Sequence, residues 1–307
     1  MRIMATPAAK RAARERNIDL SHIKGTGLTG YIQLCDVFAA KRATALASAI
    51  AKFEGIDIND VEAKGSVVRK QDVLDYMATG SKTVPVTGMR KVIAARMASS
   101  AQNVPQFTLM GEIDASSMMA RLKELKQQIL ADGGVKPTVS DILIKIVAKA
   151  LREMPTVNSY FLGDTIRMNK DVNVGLAVAL ENGLIVPNVK KADKLSLAEI
   201  AVERKRLVDK ARKGGMSPDE YSGGTCTISN LGQYPVINFN PLINEPESAI
   251  IGIGKITKKP VVIDDGIFVK PMLGISITYD HRNIDGAEGG KFMALLETLI
   301  TDASWID

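Results

Sequence analysis

Residues 5–78 carry the same short pattern twice, which restricts the opening of the chain to a pair of small, similar units. Asn17-Ile-Asp-Leu-Ser-His-Ile-Lys-Gly-Thr-Gly, closing on Cys35-Asp-Val, returns as Gly55-Ile-Asp-Ile-Asn-Asp-Val-Glu-Ala-Lys-Gly, closing on Gln71-Asp-Val. Ile18, Asp19 and Gly27 pair with Ile56, Asp57 and Gly65 at an offset of 38. Asp36 and Val37 pair with Asp72 and Val73 at an offset of 36, so the second copy lacks two loop residues. Each copy opens on an Ala-rich helical stretch, crosses a Gly-containing loop and ends on a short helix, with the Asp expected as its N-cap. Units of about 36 residues bury little surface, and such units usually serve to bind something. The expected boundaries are 4–39 and 43–78. Thr79-Gly-Ser-Lys-Thr-Val-Pro85 reads as a linker over 79–84 into a large domain over 85–307.

Charge separates the two copies. Residues 1–42 hold eight Lys or Arg against three Asp or Glu, and residues 43–84 hold five against six. The first unit therefore carries most of the net charge of +6, and a basic face suits an acidic partner, protein or nucleic acid. Aromatic residues make up only 5% of the chain, which argues against base-stacking recognition of single strands. No apolar run approaches the ~18 residues of a membrane span. The opening Met-Arg-Ile-Met-Ala-Thr-Pro lacks the apolar core of a signal peptide. Cys35 and Cys226 lie far apart, so a disulfide framework is not expected and a reducing cytoplasm is the simple inference.

From residue 85 the periodicity mixes helices and strands. Helices are expected over 90–100, 116–130, 139–154, 195–213 and 287–301. Strands are expected over 107–113, 172–180, 184–189, 225–229, 248–253, 261–263, 267–269 and 272–278. This layout is α+β rather than a regular βαβ alternation.

The last of these strands leads into Tyr279-Asp280-His281-Arg282-Asn283-Ile284-Asp285-Gly286. It sets an imidazole, and a carboxylate four residues on, at the rim of a sheet, with Asn283 to Gly286 reading as a tight turn. His281 is one of only two histidines, so histidine chemistry in the large domain falls to it. A histidine acts as a general base near neutral pH, and a carboxylate can fix its ring. On spacing alone the pair is more often structural than catalytic. Ser229 reads locally as a strand-end turn former, and Cys226 as a buried core thiol. Ile251-Gly-Ile-Gly-Lys255 has too few glycines for a phosphate loop and no helix after it.

Taken together, the repeat, Met89-Arg-Lys-Val-Ile-Ala-Ala-Arg-Met97, Gly183-Leu-Ile-Val-Pro187, Gly223-Gly-Thr-Cys-Thr-Ile-Ser-Asn-Leu-Gly232 and the Asp280-His281 signature resemble a known family. It is the dihydrolipoamide acyltransferase component of 2-oxo acid dehydrogenase complexes. The resemblance implies a peripheral subunit-binding domain over 4–39 and a second, degenerate copy over 43–78. It further implies a mixed-sheet catalytic domain of the chloramphenicol acetyltransferase type. The activity implied is transfer of an acyl group, acetyl first among the candidates, between dihydrolipoamide and coenzyme A in a pyruvate or acetoin dehydrogenase complex. A non-catalytic scaffold, or an enzyme for succinyl or branched-chain groups, is the alternative.

By the same resemblance, His281 is the base that makes the thiolate, Ser229 steadies the oxyanion, and Asp285 holds the loop or ring, with Arg90 a candidate partner. Coenzyme A contacts fall to Ser229, Asn230, Ser140 and Lys123; no metal ligands are assigned. Lys10, Arg11 and Arg14 form the basic clamp for dihydrolipoamide dehydrogenase or the decarboxylase. Ser48 replaces Lys10 in the second copy while Lys52 keeps a base, so that copy is expected to bind weakly or act as a spacer. Relatives form trimers and build them into cubic or dodecahedral cores, with the site shared between subunits. Trp305 and Ile306 are candidates for an intersubunit plug or for packing on their own subunit. Nothing here resembles a lipoyl domain, so the lipoyl group is expected on a separate domain or chain.

Overall fold

A computed structural model describes residues 4–307, apart from residues 17, 19, 21–22, 80–84, 87 and 181–182 and the side chain of Thr29. The chain divides into two units, Met1–Val86 and Thr87–Asp307.

The first unit realises the repeat. Helix α1 (Pro7–Arg16) precedes α2 (Leu34–Ala39), and α3 (Ala45–Phe53) precedes α4 (Lys70–Thr79). Equivalent residues do equivalent work. Thr6 and Thr44 accept at Oγ1 from Ala9 N and Ala47 N, closing the first turns of α1 and α3. Ala5 bridges Ile32, and Ala43 bridges Val68. Each copy has its own small core: Ala9, Ala12, Ala13 and Val37 in the first, Ala47, Ala51, Val61 and Val73 in the second.

The paired aspartates are not N-caps. Each is the third residue of its helix and reaches back, Asp36 accepting from Gln33 N at 2.8 Å and Asp72 from Arg69 N at 2.8 Å. Each also spans its loop, Asp36 to Thr26 N at 3.0 Å and Asp72 to Lys64 N at 3.4 Å. One buried carboxylate thus satisfies both a helix start and a loop that would otherwise leave donors unpaired. Of the expected linker, Thr79 still belongs to α4 and residues 80–84 lie outside the described residues.

The second unit is built on a six-stranded mixed sheet in the order β1-β10-β9-β8-β4-β7. The strands are β1 (Gln106–Asp114), β4 (Val174–Leu176), β7 (Asn188–Val189), β8 (Cys226–Asn230), β9 (Ala249–Ile263) and β10 (Gly266–Asp280). Small hairpins form from β2 (Ser159–Phe161) with β3 (Ile166–Met168), and from β5 (Val178–Leu180) with β6 (Gly183–Ile185). Helices α6 (Ser116–Ala131), α7 (Val139–Glu153), α8 (Leu197–Arg212) and α10 (Gly286–Thr301) pack into the same core as the sheet; α5 (Gly88–Asn103) and α9 (Pro218–Tyr221) complete the unit. Among the described residues, no helix is long and apolar enough to cross a membrane.

Alternation along the strands decides which face is core. Ile228, Ile251, Ile253, Ile275, Ile277 and Tyr279 point inward and are fully or almost fully buried; each such side chain contributes about 1.5–3 kcal/mol relative to exposure. Gly252, Gly254, Gly274, Ser276 and Thr278 take the opposite face. A segment from Ile237 to Asn240 lies over that face, with Phe239 N donating to Ser276 Oγ at 3.3 Å. A Cβ on Gly254 or Gly274 would fall 1.7 Å or 2.0 Å from the Ile237 carbonyl oxygen, so these glycines admit the crossing backbone. Gly252 makes room for the Phe239 ring of the same segment, so the glycines at 252 and 254 both serve this crossing.

Several expected strands change extent. Residues 248–253 and 261–263 join into β9, and 267–269 and 272–278 into β10, because the two pair along their length despite Pro260 and Pro271. The single strand expected over 172–180 divides between two sheets, as does that over 184–189. Trp305 packs against its own subunit's core, its Nε1 donating to Leu299 O at 3.3 Å, and Ile306 is buried. Of the two fates open to the tail, this is docking on its own chain.

Candidate functional site

His281 follows directly on β10, where β1 pairs with it to the end, Gln106 opposite Asp280. Its backbone N donates to Pro105 O at 2.8 Å. Its ring leans on Phe107 of β1 at 4.6 Å between centroids, and Phe107 stacks in turn on Tyr279 at 5.3 Å. The imidazole thus stands exposed against an aromatic wall. Beside it, Asp280 is 3% exposed and takes the Arg282 guanidinium in a fork, with Nε at 2.9 Å and Nη2 at 2.7 Å. Arg282 also lies over the Phe161 ring and donates to Asn103 O. The Asp280 carboxylate holds the guanidinium even more firmly protonated than usual. Asn283 Nδ2 donates to Ser159 Oγ and Ser248 Oγ, fixing the far side of the loop.

Asp285 does not reach the ring within the chain. It is the N-cap of α10, its Oδ1 accepting from Glu288 N at 2.9 Å. Residues 283–286 are therefore a helix start rather than a tight turn, since an Asp before Gly-Ala-Glu satisfies the first-turn donors. Arg90 makes no contact with it. The arginine–aspartate pair of this loop is Arg282 with Asp280.

Ser229 and Asn230 end β8, both half-buried. Asn230 Nδ2 donates to Ser140 Oγ at 3.1 Å, and its Oδ1 accepts from Gly232 N at 2.8 Å. The structure therefore brings together two of the expected coenzyme A contacts. Ser140 sits in the first turn of α7, whose start is fixed by the Thr138–Asp141 capping box and by Arg204 on Asp141. Lys123 is exposed on α6 and bonds to neither. Cys226 is wholly buried and burial pushes its thiol well up, which removes it as a nucleophile.

Within one chain Ser229 and His281 do not meet. Ser229 lies level with Gly252, and Gly252 with Ser276, across three adjacent strands. His281 is five residues beyond Ser276, toward the opposite end of β8. Two strand spacings and five residue rises put the two about 19 Å apart.

In the first unit, Lys10, Arg11 and Arg14 project from the exposed face of α1, opposite Ala9, Ala12 and Ala13. Lys10 and Arg14 share a groove of about 740 Å³ with Ser48 and Lys52 of α3, so the base kept in the second copy faces the same space.

Sequence reasoning missed Phe107, Asp280 and Arg282. The last two stood within the signature, but only the structure pairs them. Phe107 carries no local signal, being one apolar residue in an alternating strand.

Comparison with known proteins gives a consistent picture. Residues 78–306 match the family described as 2-oxoacid dehydrogenases acyltransferase (catalytic domain), and residues 3–38 match an e3 binding domain. The dihydrolipoyllysine-residue acetyltransferase component of the pyruvate dehydrogenase complex from Zymomonas mobilis is 36% identical over 97% of this chain and 65% of its own length. Its Staphylococcus aureus counterpart is 35% identical over 98% and 70%. The chain spans about two thirds of the length of these relatives. Among solved structures, a probable dihydrolipoamide acetyltransferase from Listeria monocytogenes matches with a TM-score of 0.70 at 35% identity, covering 73% of this chain and 95% of that one. The dihydrolipoamide acetyltransferase of Azotobacter vinelandii matches with a TM-score of 0.70 at 34% identity, covering 73% and 92%. There a serine, a histidine and an asparagine have been investigated for their role in the catalytic mechanism; they lie 52 and then 4 residues apart. Ser229, His281 and Asp285 have the same spacing, with aspartate third.

Proposed function

Because the chain belongs to the family of 2-oxoacid dehydrogenase acyltransferases, we propose that it moves an acetyl group between dihydrolipoamide and coenzyme A, as core of a 2-oxo acid dehydrogenase complex. The observation that carries this reading is His281 held on an aromatic wall at the end of β10, with Ser229 and Asp285 at the spacing of the residues investigated in the Azotobacter protein. His281 takes the proton of the attacking thiol, since a free thiol near pKa 8.5 is mostly protonated at pH 7. The thiolate adds to the thioester carbonyl, Ser229 Oγ donates to the resulting oxyanion, and the departing thiolate recovers the proton from His281. Asp285 acts on the loop, by anchoring α10 directly after it. Asn230 and Ser140 hold coenzyme A with Ser229; Lys123 is the weaker assignment. Acetyl is preferred because the relatives reported above are acetyltransferases.

Ser229 and His281 are too far apart in one chain to touch one thioester, so the reading requires a neighbouring subunit to complete the site. A second observation supports association. Among the described residues, past Lys255 on β9 and before Pro271 on β10 the two strands pair only with each other. This ribbon exposes Val262, Ile267, Phe268 and Val269, each at least half exposed. A lone two-stranded ribbon is marginal in water and presents free edges, which suits a homotrimer, alone or built into a larger core. Lys10, Arg11 and Arg14 present a basic face to an acidic surface of dihydrolipoamide dehydrogenase or the decarboxylase. The lipoyl group arrives on a separate domain or chain. Cys35 and Cys226 are both free thiols, in keeping with a reducing cytoplasm.

The test is coenzyme A-dependent transfer to free dihydrolipoamide from acetyl, succinyl and isobutyryl donors. Acetyl should lead; no transfer from any donor would refute the reading.

A further inference from the structure

Glu247 is 3% exposed, in the segment leading into β9, and no step above uses it. Thr227 Oγ1 donates to its Oε2 at 2.6 Å, and Asn244 Nδ2 to its Oε1 at 2.9 Å. Opposite stands Asn188 of β7. Its Nδ2 donates to Ser222 O at 3.2 Å, while its buried Oδ1 has no hydrogen-bond partner. A Cβ on Gly224 would lie 2.4 Å from Asn188 Oδ1 and 2.9 Å from Glu247 Oε1, so both oxygens close over one glycine. A Cβ on Gly175 would lie 3.0 Å from Asn188 Oδ1 and 3.0 Å from Thr227 Oγ1.

Acceptor oxygens thus converge in a buried space where the one hydroxyl proton of Thr227 is already committed. Turning the Asn188 amide over would set its oxygen against the Ser222 carbonyl, to which Lys190 Nζ already donates, and would give up the bond that Asn188 Nδ2 makes there. The missing element is one donor, and a neutral carboxyl group supplies it. We propose that Glu247 is a carboxylic acid in the folded protein, donating its proton to Asn188 Oδ1 and so tying β7, β8 and the approach to β9 into one buried network.

The electrostatics agree. Burial pushes the Glu247 carboxyl up to about 7, against the opposing pull of Thr227, Asn244 and Arg96 of α5. The other titratable groups facing it are Cys226 of β8 and Tyr160 of β2; burial raises both, so they stay neutral. Arg96 is the cation. A folded-state value raised from 4.5 gives stability that is fully present below about 4.5 and is lost as pH rises through about 7.

This inference stands apart from the acyl-transfer reading, because its test follows a proton and a melting temperature rather than turnover. The full chain and Glu247→Gln are melted across a pH series. Glutamine keeps a donor for Asn188 and an acceptor for Thr227, gives up the acceptor for Asn244 Nδ2 at every pH alike, and does not titrate. Relative to the variant, the wild-type midpoint should fall by about 3–6 °C between roughly pH 5.5 and pH 8. A protonated-carboxyl infrared band should fade over the same interval and be missing from Glu247→Gln. Parallel melting profiles, or absence of that band, would overturn the proposal. Thr227→Val provides an arm that does not need the glutamine variant to fold. It removes a bond favouring the ionised form, so the wild-type transition should move to higher pH, and an unmoved transition would equally overturn it.

Discussion

Co-expression of two crippled chains tests the shared site most directly. His281→Ala removes the base and should lower turnover by roughly 10²–10⁴. Ser229→Ala removes an oxyanion donor and should cost roughly 10²–10³. With the backbones of the two residues about 19 Å apart in one chain, a working site takes its histidine from one subunit and its serine from the next. In equal, random mixture, each interface finds an intact histidine with probability one half and an intact serine with the same probability. About a quarter of the sites are then whole, as cyclic symmetry requires. The mixed population should show about a quarter of wild-type activity with acetyl-coenzyme A and free dihydrolipoamide, at least tenfold above either parent. If the pair worked within a chain, no mixed oligomer would contain a complete site. Activity no greater than the mean of the two parents would therefore refute the intersubunit geometry.

Other outcomes follow from the same contacts. Arg282→Ala strands the buried Asp280 carboxylate and should destabilise the large unit by about 2–3 kcal/mol, less than the ~3–5 of a fully buried pair because the guanidinium is 30% exposed; denaturant unfolding reads this. Gly254→Ala drives a methyl into the Ile237 carbonyl and should lower stability by at least the ~1–3 kcal/mol typical of overpacking, measured the same way. Phe268→Lys and Ile267→Lys on the exposed ribbon should shift sedimentation toward monomer and abolish turnover together, whereas an unchanged oligomer would remove the ribbon from the interface. The backbone N–H groups of Gln33 and Thr26, and then the Thr26 hydroxyl, donate to the Asp36 carboxyl and hold it below the usual carboxylate range. The first copy should accordingly lose stability as pH falls below about 4, seen as faster hydrogen exchange at the Thr26 and Gln33 amides.

Much of the architecture was legible because the chain is locally consistent. The repeat announced two equal units, and Thr6 and Thr44 cap the helices that the pattern predicts. The extents of strands were harder to read. Pro260 and Pro271 look like strand ends, yet β9 and β10 run through them. Pro260 faces a free edge of the ribbon, and Pro271 faces Ala115, whose N donates to Pro271 O while its own carbonyl accepts from Met119 N of α6, so no partner needs the missing N–H. Strand 172–180 looked continuous because its apolar residues alternate without a break; the division after Leu176 arises from which neighbour each half finds. Within the site, residues that act through their own chemistry, His281 and Ser229, were readable from the motifs. Residues that act by placement were not. Phe107 matters through its register opposite Tyr279, which no local sequence carries, and Asp280 through its fork with Arg282, two residues on, which depends on the turn that folds the guanidinium back. Asp285 shows the converse case: its position was legible, while its helix-capping contact follows from the start of α10.

The exposed β9–β10 ribbon has a bearing on how the protein must be handled. Before a neighbour covers it, a newly made chain displays hydrogen-bonding strand edges beside Val262, Ile267 and Phe268. Such edges accept any extended chain, not only the right one. Dilution would therefore not be a safe refuge for this protein. Low concentration delays the correct neighbour, high concentration during refolding multiplies the wrong ones, and yield should peak where native association outruns both.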